Sequence, residues 1–509
     1  MTSIFITLIA YIAAYLAGQE SWYALSGLIL ILTAVLLYGI FYKRSGRPLC
    51  PAALFSLAWV GGCGVSALKL SRLEVPWEKK TWICFFLIEA GFLLGAQWRK
   101  KQNGRRIQEA VPEICYDAEL QQQTAQAQAD ESCRTKKARL AAIMTETPVS
   151  ALERRLFSCI LLLTVISYAA FFLEAFLLGY IPLFTTDTPH AYSYFHISGV
   201  HYFTVSCVLV PSLFVLFVSA VLEHEKKQQR RKLSFKKLLR TCLIPLCCTL
   251  LSLALPLLLV SRFQLLFAVL LATFTWLLRT GKRIGDLLKG KALCICGLCV
   301  LLLFGLYVFL TVERAHSVSY LNGIFEMKDP GMPIFITQPY IYIANNFDNF
   351  NCLVRELPAH THGLRMLFPL FALTGLKFFC PALVSFPIYV TKEELTTVTL
   401  FYDAYYDFGV PGIFLFAILL GAVTSGFFRL LGALSRAERE KPPGSARKMN
   451  PMLYLIGAQL CFYCLFAFFT TWYSNPATWF YLGLSFLLLL FLGLPHSGRA
   501  TFRRRKNFL

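Results

Sequence analysis

Charge is what this sequence has least of. Asp, Glu, Lys and Arg make up 15% of its 509 residues, where a soluble globular chain carries about a quarter. With 57% hydrophobic residues and a mean hydropathy of +0.58, that deficit excludes the several soluble domains into which so long a chain ordinarily divides. Familiar phosphate and metal signatures are missing too. There is no G-x-x-x-x-G-K-[S/T] loop and no H-E-x-x-H helix, so neither the nucleotide cradle nor the zinc site built on those spacings is expected. His360 and His362 flank Thr361 and supply two imidazoles, but a zinc site needs a further protein ligand and none is evident. No metal and no other cofactor is expected. Asp407-Phe408-Gly409 copies the kinase metal motif without the Gly-rich and catalytic loops that give it meaning. Apolar and polar residues do not alternate in stretches such as 250–260, which argues against a transmembrane β-barrel. The first apolar run, Ile4 to Leu16, has no basic stretch before it and no clear cleavage site. It reads as a first spanning helix, not a removed signal peptide.

What the chain does have is apolar runs, most of them long enough to cross about 30 Å of hydrocarbon as helix. They fall at 3–18, 22–42, 49–70, 81–98, 156–178, 200–222, 242–260, 263–278, 292–312, 410–431, 452–472 and 479–494. Backbone groups in lipid need internal partners, so the expected fold is an all-α polytopic membrane protein of about twelve helices. Basic residues set its orientation. Segments 43–47, 99–155, 226–240, 279–291, 429–448 and 499–506 hold 38 of the 49 Lys and Arg residues. Twelve threaded helices put every one of these segments on one side, which the positive-inside rule makes the cytoplasm, together with both termini. The chain then divides into helices one to four (1–98), a polar cytoplasmic insertion (99–155), helices five to nine (156–312), a large extracytoplasmic loop (313–409), and the last three helices with a basic tail (410–509). The net charge of +21 belongs to this topology signal. Nucleic acid is not an expected partner, because no basic face on a soluble domain is visible.

Many of the seventeen cysteines, including Cys294, Cys296 and Cys299, lie inside apolar runs and read as small packing residues. Cys352 and Cys380 fall in the outer loop, where a disulfide forms only if the fold brings them together. The Gln/Ala-rich insertion carries no evident chemistry. The outer loop is too long for a turn and too aromatic for disorder, and its apolar stretches 364–376 and 378–390 suit the membrane surface. Arg262 stands in a tight connection between two apolar runs on the less basic side. It is either an exposed turn residue or an anion clamp, since a guanidinium donates two parallel hydrogen bonds to phosphate. Arg314, Arg355 and Arg365 add cations to the loop, and His362, Asp403 and Asp407 add groups able to take a proton from a hydroxyl. Each is otherwise a solvated surface residue. Aromatics such as Tyr342 and Tyr402 stack on sugar faces or simply pack. Glu89 and Glu174 are acids within spanning runs, a placement that usually marks function.

Several passages together resemble the oligosaccharide repeat unit polymerases, the Wzy-type polymerases of bacterial surface polysaccharide. They are the aromatic stretch 341–350 with Asn345, the turn Thr361-His362-Gly363-Leu364 followed by Phe368-Pro369, and Thr399-Leu400 running on to Asp407-Phe408-Gly409-Val410-Pro411-Gly412. Gly179-Tyr180-Ile181-Pro182-Leu183-Phe184 and the placement of Arg262 add to the likeness, which covers roughly 179–426. The insertion at 99–155 is atypical, and Val398 stands near where the family's pattern has an Asn. The resemblance implies a membrane-embedded glycosyltransferase of GT-C-like architecture in the bacterial cytoplasmic membrane. It would transfer a growing glycan from undecaprenyl diphosphate to an undecaprenyl-diphosphate-linked repeat unit, working in the bilayer beside a flippase and a chain-length regulator. Arg262, Arg355, Arg365, His362, Asp403 and Asp407 are then the catalytic candidates, and Arg314, Asn345, Tyr342, Gly363 and Tyr402 the substrate-binding ones. Rival readings are an O-antigen-ligase-like transferase, and a polysaccharide flippase or other secondary transporter. The transporter reading lacks the two similar halves common in that class.

Overall fold

A computed structural model describes residues 2–98, 143–185, 191–228, 235–287, 305, 318–440 and 447–494. The longer helices are α1 (Thr2–Gln19), α2 (Tyr23–Ser45), α3 (Pro51–Ala67), α4 (Lys79–Trp98), α5 (Val149–Leu178), α6 (Val210–Gln228), α7 (Phe235–Leu258), α8 (Arg262–Thr280), α9 (Ile334–Glu356), α10 (Tyr402–Glu440), α11 (Met452–Leu465) and α12 (Pro476–Gly493). A short helix, Val200–Val205, leads into α6. Among the described residues nine helices are long and apolar enough to cross a membrane, while α3 and α11 are apolar but shorter. This is the architecture of a helical multi-pass membrane protein. One exception to the all-α expectation is a short antiparallel ladder between β1 (Glu146–Pro148) and β2 (Arg447–Met449). The ninth expected run at 292–312 apart from 305, Cys294, Cys296, Cys299, Arg314 and most of the 99–155 insertion lie outside the described residues.

Helix contacts follow membrane packing rules, in which small residues let backbones approach. Gly91 and Gly95 of α4 form a G-x-x-x-G face against α10. A Cβ at Gly95 would collide with the Ile418 carbonyl, and one at Gly421 with that of Phe92. Between α2 and α3 the same device recurs, with Gly27 against the Gly64 carbonyl. Two polar contacts tie helices together inside the bundle: Ser56 donates to Glu89 Oε1 at 2.5 Å, and the Trp59 indole donates to the Phe85 carbonyl at 3.1 Å.

The largest departure from expectation lies in the segment expected to form the outer loop. Its middle is α9, whose residues from Ala344 to Leu353 are buried without a break. Phe347 and Phe350 are fully buried against Trp59 and Phe85. These rings pack the core and offer no face to a sugar. Asp348 takes the Lys69 ammonium at 2.5 Å, the Trp77 indole at 2.7 Å and the Ser66 hydroxyl at 3.2 Å. Leaving one member of such a buried pair alone costs about 3–5 kcal/mol, so the pair fixes α9 to the end of α3. Cys352 is buried in α9 and Cys380 is exposed; both are free thiols, with no bridge between them. Burial pushes the Cys352 thiol up to about 11. The stretches 364–376 and 378–390 contain two short helices, Phe368–Leu373 and Leu376–Phe379, whose Leu370, Leu373, Phe378 and Phe379 are exposed.

Two boundaries also move. The tenth expected run starts earlier, at Tyr402, because about two further turns of helix precede Gly409, where φ of +63° and ψ of −148° break the helix. The eleventh stops at Leu465. Beyond it the chain folds back, with the Leu400 N–H donating to the Ala467 carbonyl at 2.9 Å and the Thr470 N–H to that of Val398 at 2.6 Å.

Candidate functional site

The chain reverses direction at 361–367, and this turn builds the site. His362 has φ +52° and Gly363 φ +106°, values that a glycine tolerates and other residues rarely adopt. Asp407, fully buried, holds the turn from below. Its carboxylate accepts from the Thr361 hydroxyl, from the Arg365 N–H at 3.2 Å and from the Met366 N–H at 2.8 Å. His360 lies against Gly409, where a Cβ would approach its Nε2 to 2.8 Å. The break in α10 is therefore the space the turn needs.

So held, Arg365 reaches back to α10. Its Nε donates to Asp403 Oδ1 at 2.7 Å, and its guanidinium lies 4.5 Å from the Tyr406 ring centroid and 5.5 Å from that of Tyr402. The pair is largely out of water, at 15% and 7% exposure. Burial pushes the guanidinium pKa down, but the Asp403 carboxylate and the two tyrosines outweigh it and hold it above its ordinary value. Arg365 and Asp403 line a cleft of about 390 Å³. Phe368, Val384, Phe386 and Ile388 give it apolar walls, and Thr471, Ser474 and Asn475 give it a polar edge. A fixed cation in a partly dry, partly apolar cleft is suited to an anionic group on an apolar carrier.

Of the residues expected to act together, Arg365, Asp403, Asp407, Gly363 and Tyr402 do meet, but not all in the expected roles. Tyr402 is fully buried. Its hydroxyl donates to the Tyr389 carbonyl at 2.9 Å and accepts from the Tyr389 N–H at 2.8 Å. It anchors the segment that walls the cleft and presents no ring face to a ligand. Asp407 spends its oxygens on the turn, which makes it a positioning group and not a proton acceptor for substrate. Asn345 donates to the Leu395 carbonyl at 3.0 Å and accepts from the Thr391 hydroxyl at 2.5 Å; it fastens the 391–395 strap. Arg355 ends α9, exposed, and pairs with Glu356 at 2.5 Å. His362 is exposed on the turn. Arg262 donates to Gln338 Oε1 at 3.0 Å and to the Tyr342 hydroxyl at 3.5 Å, so it is held by α9 and is not a bare turn residue. The sequence drew no attention to the Lys69–Asp348 pair, and to Thr361 only as part of the turn 361–364. Lys69, one of four cations between 69 and 80 on the less basic side, and Asp348, an acid amid aromatics, were the available signals.

No protein-family model, curated protein or solved structure matches the chain, so the Wzy-type resemblance rests on the motifs in the sequence.

Proposed function

We propose that this protein polymerises lipid-linked oligosaccharide repeat units at the outer face of the bacterial cytoplasmic membrane. The observation that carries this reading is Arg365, held by Asp403 and by the Asp407-braced turn at the wall of a cleft beside membrane helices. The donor is a growing glycan on undecaprenyl diphosphate and the acceptor a single lipid-linked repeat unit. The acceptor hydroxyl attacks the donor's anomeric carbon, and undecaprenyl diphosphate departs. A guanidinium stabilises the charge that gathers on the leaving diphosphate. With Nε taken by Asp403 and Nη1 donating to the Pro387 carbonyl at 3.5 Å, Nη2 is the end of the guanidinium that meets phosphate. The apolar cleft walls accommodate the first isoprene units of the carrier. Arg262, on another connection, supplies a second cation. No step needs a metal or a nucleotide, in keeping with the missing signatures.

A deletion strain tests the reading. Loss of a polymerase leaves surface glycan at one repeat unit, and complementation with Arg365→Ala leaves it there despite normal protein levels. Absence of surface glycan in the deletion points to a flippase instead, and long lipid-linked chains point to a ligase. An unchanged glycan contradicts the proposal.

A further inference from the structure

A second ionisable pair stands at the end of the bundle that carries the Val260–Arg262 connection. Glu174 lies in the last turns of α5 and is fully buried. Its carboxylate accepts from the Ile197 N–H at 2.9 Å and the Thr204 hydroxyl at 2.6 Å. It also meets His201 Nδ1 at 3.1 and 3.3 Å. A carboxylate can only accept, so the pairing puts a proton on Nδ1, and in the neutral imidazole the lone pair is then on Nε2. The His201 side chain is 27% exposed, and among the described residues no other hydrogen bond reaches its ring. This is the arrangement by which a buried acid orients a histidine for proton transfer.

Its location ties it to the site. Tyr202, the next residue, stacks on Phe480 of α12 at 5.6 Å, and Pro476, one turn earlier on the same helix, lines the Arg365 cleft. The loop that Glu174 fastens packs Leu183 and Tyr192 around Val260, two residues before Arg262. Glu174 and His201 do not line the Arg365 cleft itself; they stand beside it, next to the Tyr202–Phe480 contact with α12 and to the loop packed on the connection that carries Arg262.

We propose that His201 is the general base of the transfer and that Glu174 is its positioning residue, an inference that rests on the polymerase reading. Nε2 takes the proton of the acceptor hydroxyl while that oxygen bonds to the donor's anomeric carbon. The bond from that carbon to the diphosphate oxygen breaks, and the diphosphate leaves with the electron pair. The imidazolium then gives its proton to water.

The competing role is a staple that merely closes the loop between α5 and α6, and His201→Asn separates the two. Asn places an amide N–H where Nδ1–H stood, which keeps the bond to Glu174, but it carries no base. In proteoliposomes supplied with lipid-linked repeat units, His201→Asn is expected to lower kcat at least about a hundredfold with KM and thermal midpoint unchanged. Glu174→Gln is expected to lower kcat with KM held. Added imidazole is expected to restore turnover to His201→Gly, a readout that does not depend on the Asn variant's stability. Wild-type kcat in His201→Asn, or no rescue of His201→Gly by imidazole, overturns the base while leaving the polymerase intact. A wild-type protein that forms no polymer overturns the polymerase reading and this proposal with it.

Discussion

Glu74 shows how one side chain can couple this fold to pH. It sits between α3 and α4, buried, accepting from the Tyr340 hydroxyl at 2.7 and 2.6 Å and from the Ser71 N–H at 3.1 Å. Burial, helped by the nearby Asp348 carboxylate, raises its pKa from an ordinary 4.5 to about 8. The fold therefore keeps a proton that the unfolded chain releases earlier, and stability falls as pH rises from about 4.5 to about 8, then levels. Glu74→Gln imitates the protonated acid and removes that slope. Thermal midpoints in detergent from pH 5 to 9 should decline for the wild type and stay flatter for the variant; parallel curves contradict the assignment. The same scale separates the acids of the site. Asp403 faces the cleft with Arg365, whereas Asp407, four residues on, is used up in bracing a turn. Both are Asp in the sequence, and only the three-dimensional neighbours distinguish them.

Among the elements, α4 and α10 approach closely, through Gly91, Gly95 and Gly421. Adding a side chain there forces two backbones apart, and overpacking of this kind costs about 1–3 kcal/mol. Gly95→Leu should lower the thermal midpoint and the yield of folded protein. Gly39→Ala on α2, where a Cβ meets nothing within 4 Å, should do neither. Equal behaviour of the two variants would mean that the α4–α10 contact is not as close as described. Element by element, the sequence was legible where a physical rule acts locally. Hydrocarbon thickness demands long apolar runs, so α1, α2, α5 and α12 could be read directly. α9 could not be read as core. Asn345, Asn346, Asp348, Asn349 and Asn351 lower its hydropathy, and their burial depends on partners such as Lys69, 279 residues away. The site was half legible for the same reason. An arginine on the side poor in basic residues drew attention to Arg365 and Arg262, but the pairing with Asp403 and the bracing by Thr361 and Asp407 depend on how a loop closes, which no periodicity encodes.

For the whole molecule, a bundle of apolar helices suits the proposed substrate, which is lipid at one end and sugar at the other. We infer a twelve-helix arrangement with cytoplasmic termini from the segregation of Lys and Arg. That topology sets 313–409 outside, with α9 packed into the bundle as a pillar and the turn at 361–367 carrying Arg365 to the cleft. The central claim is that this chain by itself joins repeat units. The most direct test is to reconstitute the purified protein in proteoliposomes with a single undecaprenyl-diphosphate-linked repeat unit and to resolve the products by size. The account predicts a ladder of longer lipid-linked glycans from the wild type and only the starting unit from Arg365→Ala. No ladder from folded wild-type protein, or the same ladder from the variant, would contradict it.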